Sequence, residues 1–417
     1  MTSFLRRPRV LVTAVAVVAF ILQCLFIRGG LLSHERFGDV GLYTTDAQRI
    51  LDGQVPYRDF FFEYPPGALA VFIVPALVST AHYAVLFKIL MVVLGASTLC
   101  IASGIAKLSG LDLRSSALAL GWIAISPLLV GPLLLDEYDV WPTFLTCLGL
   151  LVLLRRGDRT GAGILGFGAA TKVFPAAILP AVLVWVYRRA GRRDALRCLA
   201  VAVAVAAATY AVFAALGPGG VWASLDVHLR RGLQKESLGS ALLYVLDQLG
   251  LYKAHIVEGT SNWTELTGTA GDTLATISSL CQIAACATVA AIALRRRADA
   301  RTVLYAASAA VAGFVAFGKV FSPQYLIWLV PLVALAGGIA ANVMLGVALV
   351  VTQLWFLGVV TPFDLDAEIW LVVSRDALVV ALFVLLLARL RRLAPAGSEP
   401  EPRTAPRAAG FAPAPPT

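Results

Sequence analysis

Charged side chains are scarce in this sequence. Asp, Glu, Lys and Arg make up 14% of the 417 residues, whereas 59% are hydrophobic and the mean hydropathy is +0.82. A soluble domain cannot cover so apolar a composition with polar surface. The apolar runs are continuous and rich in Ala, Leu and Val, without the period-two alternation of membrane strands. The composition therefore predicts an all-α, polytopic integral membrane protein.

Cysteine is also infrequent, and its distribution indicates neither a disulfide-stabilised protein nor a cysteine-ligated metal site. The six cysteines fall inside apolar runs or at their edges, and they show neither a disulfide framework nor the spacing of metal ligands. We therefore expect no metal and no cofactor. The first apolar run follows Arg6, Arg7 and Arg9 but lacks a small-x-small cleavage site, so it predicts an uncleaved first helix.

Apolar windows of about 20 residues mark about ten membrane spans. They lie near residues 10–27, 82–106, 115–133, 139–154, 196–216, 272–294, 301–318, 325–340, 342–360 and 369–388. The bundle that they form should carry two long external loops, at 28–81 and 217–271. Within these loops, the apolar run 67–81 and the amphipathic stretch 238–252 predict helices at the membrane interface.

The segment 161–187 is flanked by arginines at both of its ends. Arg155, Arg156 and Arg159 precede it, and four further arginines follow it between 188 and 193. By the positive-inside rule both ends face the cytoplasm. Each arm would then have only about 12 residues, roughly 18 Å of helix. The segment therefore predicts a re-entrant hairpin with its turn near Lys172 and Pro175.

The distribution of charge predicts the topology of the whole chain. Basic residues cluster at one set of span ends and acidic residues in the loops at the other, so both termini are predicted to be cytoplasmic. The net charge of +9 follows from this asymmetry, and no nucleic-acid partner is expected. One transmembrane domain should cover 1–392, and the Pro/Ala-rich residues 393–417 should form a disordered cytoplasmic tail.

The first external loop offers the clearest candidate for chemistry. Asp39 lies between Gly38 and Gly41, where a small residue permits close approach of backbone or substrate. Tyr43 follows about one helical turn later. A carboxylate just outside the first span could accept a proton near a substrate carried by a lipid.

Several stretches of this loop and of two later segments resemble one known family. They are residues 38–43, 53–60 and 63–66, then 166–175 and 317–325. Together they look like glycosyltransferase family 87, whose members are integral-membrane enzymes of the GT-C superfamily that use polyprenyl-phosphate mannose. The resemblance extends over most of residues 10–390.

The resemblance implies an inverting transfer of a mannosyl residue, or of another hexosyl or pentosyl residue, from a polyprenyl-phosphate sugar to a glycolipid or lipoglycan hydroxyl on the outer face of the cytoplasmic membrane. The aspartate that matches the family's base is Asp39. A phosphate leaving group needs cations and no general acid, and Lys172 and Lys319 are candidates for that role. Further candidates for contacts with substrate are Tyr43, Tyr57, Arg58, Glu63, His228 and Gln324.

A second interpretation is a transporter or a flippase for lipid-linked sugars. Broken helices and charges inside the membrane also mark transport pathways, but they do not account for the acidic first loop.

Two charged groups are assigned no catalytic role. Asp136, Glu137 and Asp139 are interpreted as a hydrated turn. Arg375 and Asp376, as helix neighbours, are expected to pair with other spans.

Overall fold

The protein is described by a computed structural model, which covers residues 8–35, 37–258, 264–356 and 365–396. Helices dominate this part of the chain, and 77% of the structure is helical. The helices are α1 (Pro8–Phe26), α2 (Val40–Leu51), α3 (Leu69–Val78), α4 (Tyr83–Leu108), α5 (Leu113–Val130), α6 (Leu133–Asp136), α7 (Val140–Leu154), α8 (Asp158–Ala169), α9 (Phe174–Ala190), α10 (Arg192–Leu216), α11 (Pro218–Arg230), α12 (Leu238–Gln248), α13 (Thr269–Leu294), α14 (Ala300–Ala316), α15 (Leu329–Ala336), α16 (Gly338–Phe356) and α17 (Leu365–Arg392).

The all-α membrane fold is confirmed. Within the described ranges, seven helices are long and apolar enough to cross a membrane: α1, α4, α5, α10, α13, α16 and the Ile369–Arg392 part of α17. Three of the predicted spans form shorter apolar helices. The span predicted at 325–340 is broken, because a 3-10 helix at Pro323–Trp328 precedes α15 and Gly338, at a φ of +61°, separates α15 from α16.

The predicted hairpin consists of α8 and α9, joined by a tight turn at residues 170–173. Its arms have 12 and 17 residues, or about 18 and 25 Å. Pro175 lies in the first turn of α9, where its missing N–H costs no hydrogen bond. The short 3-10 helix Pro66–Ala68 is hydrogen-bonded to this turn, because the Gly67 N–H donates to the Ala170 carbonyl at 2.9 Å.

The loop 217–271 folds into more than the predicted surface helix. Helix α12 confirms a helix within 238–252. Three short strands, β1 (Leu233–Gln234), β2 (Ile256–Glu258) and β3 (Thr264–Leu266), pair antiparallel in the order β1-β3-β2. This small sheet was not predicted, because two- and three-residue strands carry too little periodicity to be recognised in a sequence.

One prediction about the C-terminal region is corrected, and one stays a prediction. Residues 393–396 are hydrogen-bonded to the segment after α13, since the Arg297 N–H donates to the Ala394 carbonyl and the Ala396 N–H donates to the Arg295 carbonyl, at 3.0 Å each. The rest of the predicted tail, 397–417, lies outside the described residues, so the disorder predicted for the tail stays a prediction. The prediction that Arg375 and Asp376 form ion pairs with other spans was wrong, because the two side chains pair with each other: Arg375 Nε donates to Asp376 Oδ1 at 2.9 Å. Arg375 also donates to the Glu236 carbonyl.

Candidate active site

Three carboxylates in the turn between α6 and α7 form the centre of the site. Asp136 and Asp139 are fully buried and Glu137 is 3% exposed, so the interpretation of a hydrated turn was wrong. The backbone at Glu137 is extended, with a φ of −115° and a ψ of 147°. This break between two helices directs the three side chains to different partners. Buried carboxylates need such partners, because desolvating an unpaired charge is costly.

Glu137 holds the segment that carries Asp39. Its Oε1 accepts the Asp39 backbone N–H at 3.3 Å, and its Oε2 accepts the hydroxyl of the fully buried Tyr43 at 2.8 Å. Asp39 precedes the first residue of α2, yet its side chain makes no cap hydrogen bond there. Its Oδ2 instead accepts the hydroxyl of Tyr64 at 2.9 Å. Glu137 therefore holds the backbone of Asp39, and Tyr64 orients its partly exposed carboxylate.

Gly38 is required by this arrangement. It adopts a φ of +60°, a conformation that L side chains rarely take, and an added Cβ would lie 2.0 Å from Glu137 Oε1. Gly41, which the sequence also suggested for close approach, has open space at the corresponding position. The close approach predicted from the glycine pair therefore occurs at Gly38, and its partner is a buried carboxylate.

Lys172 reaches the same turn from the hairpin. Its Nζ lies 2.8 Å from both oxygens of Asp139, and Trp328 Nε1 donates to Asp139 Oδ1 at 2.6 Å. The ammonium also lies over the ring of Tyr138, 4.5 Å from its centroid, and 5.3 Å from that of Tyr325. The Lys172 side chain remains 15% exposed. An ammonium has three donor hydrogens, so the pair with Asp139 leaves donor capacity on the open side.

Asp136 anchors the start of the loop 28–81. Its Oδ2 accepts the Phe37 N–H at 3.2 Å, and its Oδ1 lies 3.3 Å from Lys88 Nζ. Lys88, buried within α4, also donates to the carbonyls of Gly29 and Glu35 at 2.8 and 3.0 Å. The loop backbone on both sides of residue 36 is thus fixed to the bundle through one buried ion pair.

Glu63 and His228 connect the loops 28–81 and 217–271. The Glu63 carbonyl accepts from the Ser224 hydroxyl at 3.1 Å and from His228 Nε2 at 2.9 Å. Burial is the main cause that raises the pKa of the Glu63 carboxyl to about 7; Arg231 and Lys172 oppose this shift, and Asp39 adds to it. Burial lowers the pKa of His228, partly offset by its bond to Glu63. A carboxyl that titrates near neutrality therefore lies close to Asp39.

Two predicted site residues occupy supporting positions. Tyr57 is 4% exposed at a φ of +67°, and its hydroxyl donates to the Tyr64 carbonyl. Its own backbone is packed so tightly that a Cβ on Gly220 would lie 1.6 Å from the Tyr57 carbonyl oxygen. Arg58 is exposed and pairs with its neighbour Asp59 at 2.7 Å. These contacts stabilise the fold of the loop, and a contact of either side chain with substrate stays a prediction.

Lys319 and Gln324 lie on the segment between α14 and α15. Lys319 Nζ donates to the Leu229 carbonyl at 2.8 Å, and partial burial lowers the pKa of its ammonium. Gln324 is partly exposed one residue before Tyr325, whose ring stacks on Trp328 at 4.1 Å. The aromatic rings of this segment thus contact Lys172, and its Lys319 side chain contacts α11.

Sequence reasoning missed the carboxylate turn, although a signal was present. Leu133, Leu134 and Leu135 come directly before it, and the apolar α7 begins directly after it. Acids embedded in apolar stretches of a membrane protein usually face the interior of the bundle and mark functional sites. In the described residues, no group of three His, Cys, Asp or Glu side chains converges as a metal site would require.

The fold and the site define a polytopic helical membrane protein with a buried cluster of carboxylates and lysines at one end of its bundle. The sequence model of glycosyltransferase family 87 matches residues 61–323, more than half of the chain. The chain therefore belongs to glycosyltransferase family 87, and it is a membrane glycosyltransferase. This membership decides against the transporter interpretation. The matched range begins after Asp39. A search of curated proteins gave no match.

Proposed function

We propose that this glycosyltransferase moves a mannosyl residue from a polyprenyl-phosphate donor to a hydroxyl of a glycolipid or lipoglycan. The family membership supports transfer from a lipid-linked sugar. The observation that carries the finer proposal is the carboxylate turn, which holds the backbone of Asp39 through Glu137 and the ammonium of Lys172 through Asp139. A candidate base and a candidate phosphate partner are thereby fixed to one rigid element.

The chemistry assigned to these groups is a single displacement. Asp39 takes the proton of the acceptor hydroxyl while that oxygen attacks the anomeric carbon, which inverts its configuration. The bond to the phosphate oxygen breaks, and the leaving phosphate keeps the electron pair. Lys172 and Lys319 stabilise the charge that develops on it, so no general acid is needed. Glu63, His228 and Gln324 are proposed to contact the sugar or the acceptor.

The test compares Asp39→Asn with a matched control. Asn keeps the size of Asp and its bond to Tyr64 but removes basicity, so transfer should fall by about 10²–10⁴-fold with donor binding retained. Asp52→Asn changes an exposed carboxylate of the same loop and should leave transfer unchanged. The assay is transfer from radiolabelled polyprenyl-phosphate mannose to extracted membrane lipids by purified protein. Near wild-type transfer by Asp39→Asn would refute the assignment of the base.

The site is proposed to face the exterior of the cytoplasmic membrane, with both termini in the cytoplasm. The basic residues at the opposite ends of the spans support this orientation. Single cysteines placed at positions 39 and 324, in a background without the six native cysteines, should react with an impermeant reagent in intact cells. Cysteines at 156 and 296 should react only after the membrane is opened. The reverse pattern would invert the topology.

A further inference from the structure

An apolar groove of about 470 Å³ runs along the outer surface of the hairpin. Its volume lies in the range of ligand pockets. One wall is a single face of α8, since Thr160, Gly163 and Phe167 are spaced at helical intervals. A second wall is the matching face of α10, formed by Val201 and Val205. Leu145 and Leu148 of α7 close the third side.

The two ends of the groove differ in chemistry. Rings cover the end nearer the carboxylate turn: Trp141 stacks on Phe144 at 5.8 Å and meets Phe167 edge-on at 6.2 Å. At the other end Arg159 lines the groove, and Arg197 lies one helical turn before Val201 on the same face of α10. The groove is therefore closed by aromatic rings at one end and bordered by cations at the other.

The two arginines share a single acid. Asp194 Oδ1 lies 3.6 Å from Arg159 and 3.2 Å from Arg197, and the arginine side chains are 59% and 58% exposed. Two guanidinium groups against one carboxylate leave a net charge of +1 at the mouth of an apolar channel. Exposed guanidinium groups are suited to binding a phosphate through paired hydrogen bonds.

We propose that this groove binds an anionic glycerophospholipid of the leaflet opposite the active site, with one acyl chain between α7, α8 and α10 and the headgroup phosphate at Arg159 and Arg197. A phospholipid fits better than the sugar donor for a geometric reason. The donor phosphate is assigned to Lys172, beside Asp139, and the arginine end lies about 22 Å away along α7. Bound at the hairpin, the lipid would stabilise α8, the helix that leads into the turn with Lys172.

The test measures lipid binding to the full-length protein in uncharged detergent by native mass spectrometry. Phosphatidylglycerol and phosphatidylcholine with the same acyl chains are titrated separately. Wild type should retain phosphatidylglycerol preferentially. Arg159→Gln and Arg197→Gln should each weaken this binding about fivefold and leave phosphatidylcholine unchanged. The exposed Arg114→Gln, in the first turn of α5 and outside the groove lining, is the matched control and should bind like wild type.

A variant that gains affinity separates binding from misfolding. Asp194→Asn removes the competing carboxylate, so it should bind phosphatidylglycerol more tightly than wild type, a result that an unfolded protein cannot give. Ile164→Trp fills the groove and should lower retention of both lipids. Equal retention of the two lipids by wild type would overturn the proposal. So would an equal loss in the Arg114 control, or displacement of phosphatidylglycerol by polyprenyl phosphate.

Discussion

The ion pair between Lys172 and Asp139 allows the structural and catalytic roles of the lysine to be separated. Asp139 is fully buried, and Lys172 is 15% exposed. Removing one partner of a buried pair costs about 3–5 kcal/mol, because the other charge is left without compensation. Lys172→Met should therefore lie at the upper end, about 4–5 kcal/mol, since Asp139 would keep only the Trp328 N–H. Asp139→Asn should cost about 2–3 kcal/mol, since the lysine can reach water.

The double variant Lys172→Met with Asp139→Asn removes both charges. Methionine fits among the rings of Tyr138, Tyr325 and Trp328, and asparagine keeps an acceptor for the Trp328 N–H. The double variant should lose only about 1–2 kcal/mol relative to wild type, less than Lys172→Met alone. The measurement is reversible unfolding of the purified protein in mixed micelles, followed by far-UV circular dichroism.

The function of the lysine is then read in the folded double variant. If Lys172 contacts the donor phosphate, this variant should bind polyprenyl phosphate at least tenfold more weakly than wild type while remaining folded, because a cation aimed at phosphate acts on the ground state as well as on the transition state. Unfolding energies that simply add would refute the coupling between the two residues. Undiminished binding by the folded double variant would restrict Lys172 to a structural role.

Three further predictions concern the first external loop. Glu137→Ala leaves the Asp39 N–H and the Tyr43 hydroxyl without their acceptor, so kcat should fall about tenfold with little change in KM, and Glu137→Gln should restore most of it; an equal loss in both variants would contradict a positioning role. Gly38→Ala should lower the thermal stability more than Gly53→Ala. Both glycines have a positive φ, but only Gly38 faces Glu137. Equal losses of stability in the two variants would mean that the contact with Glu137 is unimportant. The pKa of Glu63 is raised from 4.5 to about 7, so the folded state binds the extra proton and stability should decline as pH rises through that interval. Glu63→Gln should flatten this decline in denaturant titrations at several pH values, and an unchanged pH profile would show that Glu63 does not cause it.

Composition alone was enough to determine the class of this protein. So few charges and such long apolar runs leave a membrane as the only suitable solvent, and helices satisfy their own backbone hydrogen bonds there. Local patterns also located the turn of the hairpin at Lys172, since its arginine-flanked ends limited the length of each arm. Asp39 was predicted to be a functional residue because glycine lies next to it, and the structure shows that this glycine, Gly38, has a positive φ.

The carboxylate turn was decided only by tertiary structure. Whether Glu137 is hydrated or buried depends on partners such as Asp39, which is 98 residues away in the chain, and no local pattern encodes that contact. The extended backbone at Glu137 separates its direction from those of Asp136 and Asp139, a dihedral choice made by the packing of α6 and α7. Composition determines that helices enter the membrane, but the fit between distant helices determines which charges meet, because an ion pair depends on distances of a few ångströms.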